Sequence, residues 1–164
     1  VNRIGLENQP DACATVGLMQ VTPNSRNVIP GSVFFCIDFR HPKDEVLSGM
    51  DAELRKVCAD IAADIGLEMD FEEIWYSPPV AFDEACVSAV RSACEGGNIG
   101  HMDIVSGAGH DACYLSRVAP TAMIFTPCLN GISHNEIESA EPEHLEAGCN
   151  VLLQAMIERA NAIQ

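Results

Sequence analysis

The chain has 164 residues, of which 48% are hydrophobic and 20% charged, and its net charge is −15 at neutral pH. The length suits one ordinary domain or two small ones, and the hydrophobic content favours a folded core over a disordered chain. An acidic surface repels nucleic-acid backbones and anionic lipid, so we expect neither a nucleic-acid partner nor a membrane partner. We see no apolar stretch long enough to span a bilayer and no signal peptide, which together favour a cytoplasmic protein.

The first half of the sequence predicts a small sheet covered by a helix. Strands are predicted at 15–21 and 32–40, because both segments are rich in β-branched, aromatic and other apolar residues. A helix is predicted at 44–65, where apolar residues recur at helical spacing until Gly66. A more polar third strand is predicted at 68–76. This order predicts an antiparallel sheet with a helix on one face.

The second half alternates helices, loops and one strand, and we place a module boundary near residue 80. In chain order the predicted elements are a helix at 83–95 capped by Asp83, a Gly-rich loop at 105–111, an apolar strand at 121–125, a second Gly-containing loop at 130–135 and a last helix that begins at Pro142. The last helix carries a predicted buried stripe, formed by Leu145, Cys149, Leu152, Met156 and Ile163.

The eight cysteines do not form a C-x-x-C pair, so their spacing gives no support for a structural zinc site. Most have apolar neighbours, which predicts buried thiols that behave as small hydrophobic side chains. Reduced thiols are expected rather than disulfides. A single reactive cysteine stays open as an alternative.

Two histidines lie in the Gly-containing loops on either side of the predicted strand 121–125. His110 belongs to the sequence S-G-A-G-H-D at 106–111, and His134 belongs to G-I-S-H-N-E at 131–136. Small neighbours allow a ligand to approach an imidazole closely, and loops that follow strands are where α/β proteins build their sites. Either histidine alone is most simply a structural residue, but the pair indicates a functional site.

The spacing of these residues leaves two chemistries open. A nucleophilic serine at 133 or 106 requires a G-x-S-x-G elbow, and the segment 131–135 lacks the final glycine. A metal site requires at least three ligands, and only His110 and His134 are available without an accompanying cluster. On spacing alone the serine hypothesis is weak and the metal site is incomplete.

Asn27 and Arg40 form a third candidate group. Arginine offers a planar fork that suits a carboxylate, and asparagine can both donate and accept hydrogen bonds. Thirteen residues apart, the two side chains could bind the acid end of an amino-acid-like ligand together. The alternative is a turn asparagine and a surface arginine.

These motifs together resemble the N-carbamoyl-amino-acid hydrolase, β-ureidopropionase and allantoate amidohydrolase family. The resemblance is carried by 23–31 with 38–41, by 106–112 and by 131–135, in the family's order. It implies an α/β catalytic domain interrupted by a lid that also dimerises. Residues 1–79 would be the C-terminal part of the lid, an antiparallel sheet with a helix, and residues 80–164 the C-terminal part of the catalytic domain.

The resemblance also implies roles for individual residues. His134 matches a ligand of a centre with two divalent metal ions, zinc or manganese, with cobalt and nickel as alternatives. His110 matches a catalytic histidine that contacts the substrate and stabilises the developing oxyanion, and Gly109 lies against the substrate through its backbone. Asn27 and Arg40 match lid residues that bind the carboxylate of a small-molecule substrate. A homodimer formed through the lid is implied.

The expected activity is hydrolysis of a linear amide, the ureido C–N bond of an N-carbamoyl amino acid. Allantoate or ureidoglycolate hydrolysis is the alternative within the enzymes, and a non-catalytic oligomerisation module derived from the lid is the alternative outside them. The family's other four metal ligands and its general-base glutamate have no match in this sequence. We therefore predict that the 164 residues alone are inactive.

Overall fold

A computed structural model describes residues 1–162, and the chain divides into two compact units, Val1–Pro79 and Val80–Gln164. The elements are α1 (Asn2–Glu7), β1 (Cys13–Thr22), β2 (Ser32–Arg40), α2 (Asp44–Ile65), α3 (Glu84–Gly96), α4 (Asp111–Leu115), a 3-10 turn at Leu129–Gly131 and α5 (Pro142–Ala162). The stripe residue Ile163 lies outside the described residues. Within the described part, none of the helices combines the length and the hydropathy needed to cross a bilayer.

The first unit is built on an antiparallel hairpin of β1 and β2, as the sequence predicts. The register runs from the pair Thr22 and Ser32 beside the loop to the pair Cys13 and Arg40 at the open end. One irregularity, at Gly17, interrupts the pairing. Both predicted strands are confirmed, and the β2 boundaries agree with the sequence pattern.

The helix α2 covers one face of this hairpin. It ends at Gly66, whose φ of 70° is a left-handed conformation that glycine adopts without strain. The buried core of the unit consists of Ile4, Met50 and Leu54. From β2, the side chains of Ile37 and Phe39 pack against this core. The predicted helix and its position on the sheet are therefore confirmed, and the short helix α1, which the sequence analysis missed, adds Ile4.

The predicted third strand at 68–76 is wrong. The sheet of the described residues has two strands, and 68–76 is extended without ladder pairing. Side chains fasten this segment to α2 instead. The guanidinium of Arg55 lies 4.4 Å from the ring centre of Phe71, and the Tyr76 hydroxyl donates to the Asp44 carboxylate. Alternating apolar and polar residues indicate strand character, but a strand also needs a neighbouring strand for its backbone hydrogen bonds.

The second unit is built on the packing of α3 against α5. Asp83 caps α3, because its carboxylate accepts a hydrogen bond from the backbone N–H of Cys86 at 2.9 Å. Proline at the first position of α5 is also as predicted. The buried core consists of small side chains, which allow the two helices to approach closely: Ala89, Ala93, Cys94, Val151 and Ala155.

The predicted buried stripe of α5 is wrong. Leu145, Leu152 and Met156 are 49%, 51% and 62% exposed, and Cys149 is exposed as well. The face turned toward α3 is instead the one that carries Val151 and Ala155. An apolar stripe indicates that a helix has an apolar neighbour, but it does not say whether that neighbour lies in the same chain.

The predicted strand at 121–125 does not form in the described residues. The segment runs in an extended, unpaired conformation, and its first carbonyl, that of Thr121, accepts from the Asp83 N–H at 3.0 Å. Its residues have strand character, but no parallel neighbour is present beside it in the part of the chain described. A strand in an α/β sheet exists only through such a neighbour.

All eight cysteines lie within the described residues and are free thiols. The expectation that most of them are buried is wrong, since only Cys94 is fully buried, whereas Cys13 and Cys149 are exposed. Burial raises the pKa of the Cys94 thiol above its ordinary value.

Candidate active-site loops

His134 lies in a closed loop that joins the segment after Thr126 to α5. The Leu129 N–H donates to the Ser139 carbonyl at 2.7 Å and closes the loop at its base. Three loop residues have positive φ, namely Asn130 (54°), Gly131 (68°) and His134 (55°). For non-glycine residues this conformation is uncommon and persists only where surrounding contacts hold it.

The His134 loop is held from within by a carboxylate. The backbone N–H of His134 donates to Glu138 Oε2 at 2.7 Å, and the His134 ring nitrogen Nδ1 lies 3.3 Å from Ser133 Oγ. The histidine is exposed. Its imidazole is thus accessible to a ligand, as a role in metal binding requires.

His110 immediately precedes the short helix α4 without a side-chain capping bond, and the residue is half-buried. Ser106 Oγ lies 2.6 Å from His110 Nε2, and the ring meets Phe125 edge-on, with 5.5 Å between the ring centres. In the described residues a side chain at Gly109 would meet no atom within 4 Å. The described residues therefore leave room for a side chain at position 109. That Gly109 lies against a ligand stays a prediction.

Asn27 and Arg40 are both exposed, and each already has a partner. Asn27 Oδ1 accepts from Ser25 Oγ at 2.8 Å. Arg40 Nε donates to Asp38 Oδ1 at 2.7 Å, and Nη2 donates to Oδ2 at 3.1 Å. The hydrogen bonds to Asp38 raise the pKa of the Arg40 guanidinium. Asp38 thus orients the Arg40 guanidinium, which the sequence analysis assigned to the binding of a ligand carboxylate.

The prediction that Asn27 and Arg40 bind one carboxylate together stays a prediction, but the hairpin keeps the two residues of one chain apart. Asn27 lies in the hairpin loop between β1 and β2, whereas Arg40 is the last residue of β2, paired with Cys13 at the open end. At about 3.4 Å per residue, the eight steps from Ser32 to Arg40 cover roughly 27 Å. A carboxylate is far too small to span that separation. The thirteen-residue spacing of Asn27 and Arg40 does not reveal their distance in space, because that distance depends on where the hairpin turns.

Among residues 1–162, no three or more His, Cys, Asp or Glu side chains are grouped so that they could hold a metal ion. In the same range, His110 and His134 make no hydrogen bond or ring contact with each other. A zinc site usually has three or four protein ligands.

The sequence analysis missed the supporting roles of three residues. Asp38 orients Arg40, Ser106 contacts the ring of His110, and Glu138 holds the backbone of His134. Each lies two or four residues from the side chain or backbone group that it supports. A search for polar partners at those spacings within loops would have found them.

Residues 4–158 match the peptidase family M20/M25/M40. The chain belongs to this family. The family is metal-dependent, and the resemblance on which the sequence analysis rested is thereby confirmed.

Individual M20-family relatives are close in sequence and in fold. The chain is 43% identical to an N-carbamoyl-L-amino-acid amidohydrolase of Rhizobium meliloti over 164 residues, which are 100% of this chain and 39% of the relative. It is 37% identical to the allantoate amidohydrolase of Escherichia coli K12, over 84% of this chain and 34% of the relative. An amidase of the hydantoinase/carbamoylase family from Burkholderia multivorans superposes with a TM-score of 0.92 at 68% identity.

The superposition with the Burkholderia amidase covers 98% of this chain and 39% of that structure. The chain thus spans about two fifths of the length of these M20-family relatives. Its two-stranded antiparallel sheet and its helices match the corresponding part of the carbamoylase fold.

Proposed function

We propose that this chain is the C-terminal part of a metal-dependent amidohydrolase that cleaves the ureido C–N bond of N-carbamoyl amino acids. The observation that carries the proposal is the 43% identity to an N-carbamoyl-L-amino-acid amidohydrolase along the whole chain. The geometry supports it, because Ser106 contacts the imidazole of His110, and Glu138 holds the backbone of His134, whose side chain is exposed. A cytoplasmic location and the lack of nucleic-acid and membrane partners stay predictions.

In this proposal the residues of the chain bind and orient, and the metal centre is completed from elsewhere. His134 would be the single metal ligand that the chain contributes, since its ring is exposed on a loop of fixed backbone. His110 would donate a hydrogen bond to the carbonyl oxygen as negative charge develops there. The native metal and the number of ions are part of the proposal, with two ions of zinc or manganese favoured.

We propose that the 164 residues alone do not hydrolyse the substrate. The chain corresponds to 39% of the Rhizobium relative, and residues 1–162 contain no group of ligands for a metal. The remaining ligands and the general base would come from polypeptide that corresponds to the uncovered part of that relative.

An apolar groove on the second unit supports the need for this additional polypeptide. The groove has a volume of about 490 Å³ and is lined by residues of α3, α5 and the segment before Pro127, among them Val90, Ile124 and Leu152. Its border includes the unpaired extended segment 121–125. A strand-like segment without a neighbour and an open apolar helix face suit the interior of an α/β domain whose other layers are missing.

A homodimer through the first unit is also part of the proposal. Asn27 and Arg40 lie at opposite ends of the same hairpin, so they can reach one small ligand together only if they come from two chains. Antiparallel alignment of two hairpins would bring the loop of one chain near the open end of the other. Exposed apolar residues on the hairpin, such as Met19 and Phe34, offer surface for such a contact.

A complementation assay tests the proposed function. The chain is mixed with the part of the Rhizobium relative that the match leaves uncovered, and ammonia release from N-carbamoyl-L-amino acids is measured with and without added Mn²⁺ or Zn²⁺. We expect no turnover by the chain alone and metal-dependent turnover by the mixture. Metal-dependent turnover by the chain alone would refute the fragment proposal. A stable mixture with no turnover on any ureido substrate would refute the proposed activity.

Allantoate hydrolysis is the second candidate, because the allantoate amidohydrolase of Escherichia coli is 37% identical. Ureidoglycolate hydrolysis is considered together with this second candidate. The same mixture, given allantoate and N-carbamoyl amino acids in parallel, separates the two through the ratio of kcat/KM values. A mixture that binds neither metal nor substrate yet dimerises would favour the non-catalytic oligomerisation module.

A further inference from the structure

Ser106 and His110 form a closed hydrogen-bonded turn at the start of α4. Ser106 Oγ lies 2.6 Å from His110 Nε2, and the backbone N–H of Ala108 donates to the same Oγ at 3.2 Å. A hydroxyl has one hydrogen to donate and two lone pairs that accept. The Ala108 N–H occupies one lone pair, so the hydroxyl hydrogen stays available for the ring.

The hydrogen bond from Ala108 favours the hydroxyl as the donor to the ring. Ser106 Oγ already accepts from the Ala108 N–H, and His110 Nε2, at 2.6 Å, is the acceptor that its hydroxyl reaches among the described residues. The lone pair of Nε2 then accepts, and the proton of a neutral ring is on Nδ1.

A second contact fixes the plane of the ring. His110 meets Phe125 edge-on, with an angle of 64° between the ring planes, while its carbonyl accepts from the Cys113 N–H at 3.0 Å. The backbone and the ring of His110 thus both have partners. We infer that Ser106 is a positioning residue that holds His110 as the Nδ1–H tautomer, so that Nδ1–H is the donor the ring offers to a ligand.

The functional meaning of this tautomer rests on the proposed function, because His110 must contact the substrate. The assignment of the tautomer is independent of the proposed function. The competing assignment is that Ser106 is a nucleophile activated by His110. Such a pair usually has a third group that orients the base, and no carboxylate is bonded to His110 Nδ1 among the residues described. The structure favours the positioning role.

Long-range ¹H–¹⁵N NMR of the 164-residue chain tests the inference directly. At alkaline pH, where a free imidazole is neutral, the nitrogen shifts report which ring nitrogen carries the proton. The His110 signal is assigned by its loss in His110→Gln. We expect the Nδ1–H form to be the majority in the wild type, to become a minority in Ser106→Ala, and to be restored in Ser106→Thr, which keeps the hydroxyl.

Ser116→Ala is the matched control, since Ser116 Oγ donates to the Cys113 carbonyl near α4 and does not contact the ring. It should leave the tautomer unchanged. A wild-type ring protonated on Nε2, or an unchanged tautomer in Ser106→Ala, would overturn the inference, as would labelling of Ser106 by a fluorophosphonate. The wild-type spectrum decides even if Ser106→Ala does not fold. Failure of the complementation assay would leave this result unaffected, so the two claims fail separately.

Discussion

The side-chain carboxylate of Glu138 accepts a hydrogen bond from the backbone N–H of His134, with 2.7 Å between the nitrogen and Oε2. His134 has a φ of 55°, which a non-glycine residue keeps only when its surroundings hold it. The residue proposed to bind metal is therefore held in place by a carboxylate of its own loop, four residues further along the chain.

Removal of this carboxylate should loosen the loop. In Glu138→Ala we expect the His134 amide to exchange its hydrogen on the order of ten-fold faster, because a hydrogen bond to a charged acceptor is lost. Hydrogen exchange followed by mass spectrometry or NMR measures this. Glu136→Ala is the control, since it removes a carboxylate of the same loop that is not the acceptor of this bond. Equal exchange in the two variants would show that Glu138 does not hold the loop.

Helix α1 should tolerate no side chain at Gly5. A Cβ built there would lie 2.6 Å from the Ala14 Cβ, whose position is fixed by β1. We expect Gly5→Ala to lower the free energy of unfolding by about 1–3 kcal/mol through overpacking. In contrast, Gly49 lies within α2, and a methyl group added to it would meet no atom within 4 Å. Gly49→Ala should stabilise by about 0.5–1 kcal/mol, and urea unfolding that gives both variants the same sign would contradict this packing.

The capping carboxylate of Asp83 should make the second unit sensitive to acid. Hydrogen bonding to the Cys86 backbone lowers the pKa of Asp83 in the folded chain. Its stabilising contribution is therefore complete above the unfolded pKa of about 3.9 and is lost as the pH falls through the lower folded value. Asp83→Asn keeps a capping side chain without the charge. We expect its melting temperature to lie below that of the wild type at neutral pH and to converge with it in acid. A constant difference across this pH range would contradict the assignment.

Alkylation rates of the thiols should report the burial of Cys94 and the covering of the apolar groove by added polypeptide. Cys94 is buried and its thiol pKa is raised by desolvation, so we expect its alkylation to be on the order of ten-fold or more slower than that of Cys149. Cys149 lines the apolar groove and should become protected when the complementing polypeptide is added. Cys13, exposed on the first unit, serves as a reference. Mass spectrometry after timed alkylation checks both rates, and unchanged labelling of Cys149 in the mixture would show that the groove stays open.

The elements that the sequence predicts well are those decided by local interactions. Helices α2 and α3 follow from apolar spacing together with Gly66 and Asp83 as caps, and the hairpin follows from two strand-like segments around a turn. The segments 68–76 and 121–125 have equally plausible local patterns, yet neither is a strand in the described chain. A strand depends on a neighbour, and a single segment's sequence does not report whether one is present.

The candidate site shows the same division between local and long-range information. His110 and His134 lie in loops as predicted, since glycine and small residues mark such loops locally. The separation of Asn27 from Arg40 was not predicted, because it depends on where the hairpin turns. The apolar stripe of α5 was interpreted as buried, although its outer face is open in this chain. Neither the separation of Asn27 and Arg40 nor the exposure of this face of α5 can be derived from local sequence patterns.

We propose that His134 coordinates a metal ion through its imidazole, in a centre completed by polypeptide from outside this chain. The most direct measurement is the metal content of the purified complementation mixture by elemental mass spectrometry, for the wild type, His134→Ala and the exposed control His144→Ala. We predict bound Mn²⁺ or Zn²⁺ in the wild type and in His144→Ala, and loss of at least one ion in His134→Ala. Equal metal content in all three assembled mixtures would contradict the account.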